Sequence, residues 1–158
     1  MKKAFTLIEV IVAIGVFAVL SVILSLLLAG TLRGSKKAAA TILVRGEGAY
    51  AMESMAAQLR FAKSVTSCTG GSSVTAKTQA GADLTFSCLS SGEDVYLASN
   101  SARLTTANVK ITNCAGVFTC PDPRMVRITF SLQKAGSNLP LEGQASINFD
   151  TEVGLRNK

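Results

Sequence analysis

At 158 residues, with 16 Lys and Arg against 10 Asp and Glu, the chain carries a formal charge of +6 and has room for about one domain. It contains no His, which excludes mixed Cys and His zinc sites and any Ser or Cys nucleophile activated by a His base. Hydrophobic residues make up 48% of the chain and are unevenly spread, so membrane association has to be settled before the fold.

The chain opens Met1, Lys2, Lys3, Ala4, Phe5, Thr6, Leu7, Ile8, Glu9, and the 23 residues from Val10 to Leu32 contain no charge. About 20 apolar residues suffice to cross the hydrocarbon core of a bilayer as a helix, so this run can span. A cleavable secretory signal fits less well, because its apolar region is only ~7 to 15 residues long and lacks an acid. Here Glu9 stands at the entrance, and the small residues Ala38, Ala39 and Ala40 that would supply a cleavage site lie beyond Arg33, Lys36 and Lys37. An acid at the edge of a membrane segment is costly unless it finds a partner or reaches the interface, which makes Glu9 a functional candidate in its own right.

Beyond the apolar run, Ala49, Met52, Ala56, Leu59 and Ala62 recur at steps of three and four, the mark of one amphipathic helix stripe. Met52 and Met55 read as core filling. No Pro precedes Pro121, so a continuous helix is expected from about Phe5 to Ser64, roughly 90 Å long. Gly30, Gly34, Gly46 and Gly48 weaken it by ~1 kcal/mol each.

From Ser67 the texture turns to short alternating runs with Gly, Ser, Thr and Asn between them, which reads as strands and turns. Val74, Ala76 and Thr78 alternate, as do Leu84, Phe86 and Cys88, then Val95 and Leu97. The clearest pair sets Val126, Ile128, Phe130 and Leu132 against Ala145, Ile147, Phe149 and Thr151, a long hairpin closing an antiparallel sheet. The helix stripe is the available cover for that sheet's apolar face. All four cysteines, Cys68, Cys88, Cys114 and Cys120, lie in this region, and their spacing matches no zinc pattern built from cysteines alone. Two disulfides in an oxidising compartment are the simpler account. Of the three possible connectivities, short loops favour Cys68 with Cys88 and Cys114 with Cys120.

The charge excess sits at the N-terminus and on the helix. From Thr66 onward eight cations face seven acids, a balance that counts against a head built to bind nucleic acid. Arg124, Arg127, Arg156 and Lys158 are the residues that could still cluster in space.

A basic leader, a small residue, Phe-Thr-Leu-Ile-Glu and an immediate apolar run, in that order, resemble the class III signal of type IV prepilins and of the pseudopilins of type II secretion. The resemblance implies cleavage by a prepilin peptidase between Ala4 and Phe5, N-methylation of Phe5, and pairing of Glu9 with the N-terminal amine of a neighbouring subunit. Ala4 stands where the family usually has Gly, and the Pro that many members carry late in the apolar segment is missing. The layout it implies is α+β: a leader over 1–4, a transmembrane or filament-core helix over 5–32, its amphipathic continuation over 33–66, and a β-rich head over 67–158.

The expected function is structural, as a minor pilin-like subunit of a type IV pilus or related filament, with no enzymatic activity and no cofactor. The implied partners are other pilin subunits, the prepilin peptidase, inner-membrane assembly machinery and, before assembly, membrane lipid. The implied location is the inner membrane as a single pass, then an extracellular pilus or a periplasmic pseudopilus. Lys2 and Lys3 favour a cytoplasmic N-terminus, while Arg33, Lys36 and Lys37 pull the other way; the cysteines and the leader motif both place the head outside the cytoplasm. The alternatives are a type II secretion pseudopilin, a DNA-uptake pilin with a DNA-binding head, and a single-pass membrane protein that never polymerises.

Overall fold

A computed structural model describes residues 6–136 and 144–156. One helix, α1 (Leu7–Arg60), runs without interruption through the apolar segment and on into the head. Its 54 residues extend for about 80 Å. Acid in the first turn, Glu9, and base in the last, Arg60, both complement the helix dipole. The helix closes at Arg60, four residues before the expected end, because Phe61 leaves helical geometry and the chain enters its first strand at Ser64.

Two antiparallel sheets follow where the strand pattern pointed to one. The first is a meander of five strands in sequence order, β1 (Ser64–Thr69), β2 (Ser73–Lys77), β3 (Asp83–Ser91), β4 (Asp94–Ser99) and β5 (Ala102–Arg103). The second is built around β8 (Met125–Lys134), with β9 (Ser146–Gly154) along one side. On the other side β6 (Val109–Ile111) pairs with one end of β8, and β7 (Phe118–Asp122) with the opposite end. The expected hairpin is present: Val126, Ile128, Phe130 and Leu132 are all buried, and Phe130 faces Phe149 in register with the two rings stacked 5.2 Å apart. Val74, Ala76, Leu84, Phe86, Cys88 and Leu97 bury the inner face of the first sheet.

The second half of α1 lies across β8 and β9. Its buried seam is Ala40, Val44, Gly48, Ala51, Met55 and Leu59; of the expected stripe Leu59 and Ala62 are buried, while Ala49, Met52 and Ala56 lie half-buried one residue off the seam. The cause is Gly48. A Cβ there would overlap three carbons of the Phe149 ring, so the backbone itself meets the sheet at a position that a search for apolar side chains passes over.

The disulfides are Cys68–Cys120 and Cys88–Cys114, with Cα atoms 6.3 and 5.5 Å apart, and the expected sequence-neighbour pairing does not occur. Strand β2 separates β1 from β3, which holds Cys68 and Cys88 about two strand spacings, ~10 Å, apart, beyond the ~7 Å a bridge can reach. Each bridge instead ties the first sheet to the second sheet or to the loop that feeds it. Between them Gly71 packs on the backbone of Gly116, both at positive φ, and Phe118 N–H donates to Gly71 C=O at 2.9 Å.

Candidate functional site

Every helix residue from Leu7 to Ala39 is exposed, and burial against the sheets begins at Ala40. About 50 Å of helix thus projects from the head. Between Leu7 and Leu32 it presents 17 large apolar side chains, each 47–79% exposed. A Leu, Val or Ile side chain is worth about 1.5–3 kcal/mol when fully buried, so a surface of this extent is costly to leave in water. The helix is long and apolar enough to cross a membrane once.

The polar side chains within this segment are turned inward onto the helix. Ser21 Oγ donates to Phe17 C=O and Ser25 Oγ to Ser21 C=O, both at 2.8 Å, while Thr31 Oγ1 donates to Leu28 C=O at 2.9 Å. Hydroxyls satisfied in this way add little penalty in hydrocarbon. Glu9 remains the one charge between Leu7 and Leu32, in the first turn of the helix. Arg33, Lys36 and Lys37, at i, i+3 and i+4, share one face of α1 where the apolar run ends. Ala4 and Phe5, the expected cleavage and methylation positions, lie outside the described residues, as does Lys158.

In the head the ionic contacts are local. Arg127 holds Asp150 through two hydrogen bonds, at 3.1 and 2.8 Å, and Thr129 Oγ1 donates to the same carboxylate, which lowers Asp150 to about 2. Arg103 grips Asp94, stacks on the Tyr96 ring at 4.5 Å and donates to the carbonyls of Thr105 and Thr106. Thr106 N–H in turn donates to Glu47 on the helix at 3.1 Å. This cluster anchors the β5–β6 connection to α1, and sequence reasoning missed it, since Arg103 and Glu47 are 56 residues apart and carry no shared pattern. Of the cations marked for possible clustering, Arg127 is occupied by Asp150 and Glu152, while Arg124 and Arg156 come together with Arg60 at the end of the helix.

Among the described residues no group of three or more His, Cys, Asp or Glu is placed to hold a metal ion. Compared with known proteins, the chain matches no family model, no curated protein and no solved structure.

Proposed function

We propose that the chain is a structural subunit of a type IV pilus or related filament, anchored in the membrane before assembly and incorporated through the first half of α1, in the manner of a minor pilin. The observation that supports this most is the uncovered apolar half-helix, continuous with a half that is built into the head and charged only at Glu9. In this reading the work is assembly rather than chemistry. Leaving the bilayer is offset when neighbouring helices bury the same surface, so the filament core takes the place of lipid. Glu9 pairs with the amine of a neighbour's Phe5, which sets the axial register of the incoming subunit.

The test compares cleaved protein in the membrane with protein in sheared filaments. Mass spectrometry of the filament material should find Phe5 at the N-terminus. Glu9→Leu should be processed and inserted as well as wild type, because an acid is replaced by an apolar residue, yet enter filaments at a small fraction of the wild-type level. An unpaired charge buried at low dielectric is strongly unfavourable, and the variant leaves the facing amine in that state. Equal incorporation would end the pairing mechanism, and assembled protein starting at Met1 would end the prepilin reading.

A further inference from the structure

The strand order brings two lysines of the head close to the end of the apolar run. Strand β9 travels alongside α1 in the same direction, because Gly48 meets Phe149 and, further on, Arg60 C=O accepts the N–H of Arg156 at 3.0 Å. The antiparallel β8 therefore ends where β9 begins, at the base of the head, on the side of the apolar run. Lys134 N–H donates to Ala145 C=O there at 3.1 Å, and Gln133 pairs with Ser146 on one side and with Lys110 of β6 on the other. Lys110 and Lys134 line one depression with Gln133 and Ser146. On the helix, Lys36 and Lys37 stand exposed just before Ala40, where burial against the sheets begins. Among the described residues none of these four lysines has a carboxylate within 4 Å, whereas Lys77, Arg103 and Arg127 are each ion-paired. Two acids lie beside Lys110: Asp94 is held by Arg103, and Glu93, in no ion pair with a described residue, offsets one of the four charges.

Helix length fixes the height of these groups above a membrane. Val10 to Leu32 covers about 35 Å against ~30 Å of hydrocarbon, so Leu32 stands at the edge of the core when the segment spans. Lys36 and Lys37 then lie about 6–8 Å further out, inside a headgroup layer ~5–8 Å deep. The base of the head, level with Ala40, is about 12 Å from Leu32 and clears that layer by only a few ångströms, less than the ~10 Å Debye length at 0.1 M salt. Lysine stems close much of the remaining gap. We infer that Lys110 and Lys134, together with Lys36 and Lys37, dock the base of the head on anionic phospholipid headgroups of the leaflet it faces. Each lysine near such a surface favours the docked state about fivefold, and zwitterionic headgroups offer no net charge to match. The inference rests on the anchoring of the first half of α1 in a membrane, and neither on filament assembly nor on which side the head lies.

The lysines themselves report the contact. The full chain is reconstituted in vesicles of phosphatidylcholine, alone or mixed with phosphatidylglycerol at about three to one, and its amines are acylated with a water-soluble N-hydroxysuccinimide ester and mapped by mass spectrometry. At about 0.1 M salt phosphatidylglycerol should slow acylation of Lys110 and Lys134 at least ~10-fold, and that of Lys63, about 40 Å beyond the apolar run, by less than ~1.5-fold. Because both lysines contribute to one docking equilibrium, Lys110→Gln should lower the protection of Lys134 about fivefold, and Lys134→Gln that of Lys110 equally. Lys36, held among the headgroups by the helix itself, should stay protected in both variants. Circular dichroism melts confirm that the variants fold. Protection confined to Lys36 and Lys37 would overturn the docking, since the head would then stand clear of the surface. Equal protection in pure phosphatidylcholine, protection that extends to Lys63, or protection that persists at about 1 M salt would overturn it as well. Release of the chain from the vesicles by alkaline carbonate would end the anchoring and the docking together, whereas a retained chain without protection ends the docking alone.

Discussion

Asp150 shows how a surface carboxylate is tuned by its immediate neighbours. Hydrogen bonds from Arg127 and then from Thr129 hold it at about 2, below its ordinary 3.8. Because the folded value is the lower one, the contact contributes stability above about pH 4 and loses it as pH falls through about 2. Both side chains are about half exposed, so the effect is small and screened by salt. Thermal melts between pH 5 and 2 should fall less steeply for Asp150→Asn than for wild type; parallel curves would mean that the pair is not held in solution. Thr105 poses the opposite case. It is 2% exposed and its hydroxyl has no partner among the described residues, so a polar group is buried at a loss. Thr105→Val keeps the shape and removes the orphan, and it should raise stability by about 1 kcal/mol in urea unfolding.

At the level of the helix, two glycines a half-turn apart have opposite meanings. A Cβ on Gly46 would meet nothing within 4 Å, whereas one on Gly48 would strike Phe149, which is itself stacked on Phe130. Gly46→Ala should therefore stabilise the chain by about 1 kcal/mol through helix propensity. Gly48→Ala should destabilise it by about 1–3 kcal/mol, because the ring has to leave its stack. Urea titrations of the two variants decide the matter, and a similar sign for both would show that α1 does not approach β9 this closely. The same contact explains why the buried seam is displaced from Ala49, Met52 and Ala56: the helix turns its least bulky position toward the Phe149 ring.

Across the whole molecule the two bridges act as staples between layers. Cys88–Cys114 is nested inside Cys68–Cys120, so with the inner bridge closed the outer one still shortens a substantial loop. In the chain-entropy account, Cys68→Ala with Cys120→Ala and Cys88→Ala with Cys114→Ala should each lower stability by about 3–4 kcal/mol. Non-reducing peptide mapping should recover the 68–120 and 88–114 pairs; peptides joining 68 to 88 would contradict the sheet order itself. The sheets meet along β1 with β7 and β4 with β6, and the Gly71 and Gly116 contact lies between the staples. Reduction should accordingly loosen that seam before it affects the β8–β9 hairpin, which amide hydrogen exchange resolves.

The sequence by itself determined the long apolar helix, its continuity into the head, the strands with clean alternation and the β8–β9 hairpin, because each of these rests on periodicity within a single segment. It also determined that four cysteines without a metal spacing would be bridged. What only the tertiary structure decided depends on which segments lie side by side: the division into two sheets, the partner of each cysteine, the seam centred on Gly48, and the meeting of Arg60, Arg124 and Arg156 at one pole. These are long-range placements, and no local pattern encodes them, since a glycine leaves no hydrophobic signal and an arginine's neighbours far along the chain are set by strand order alone.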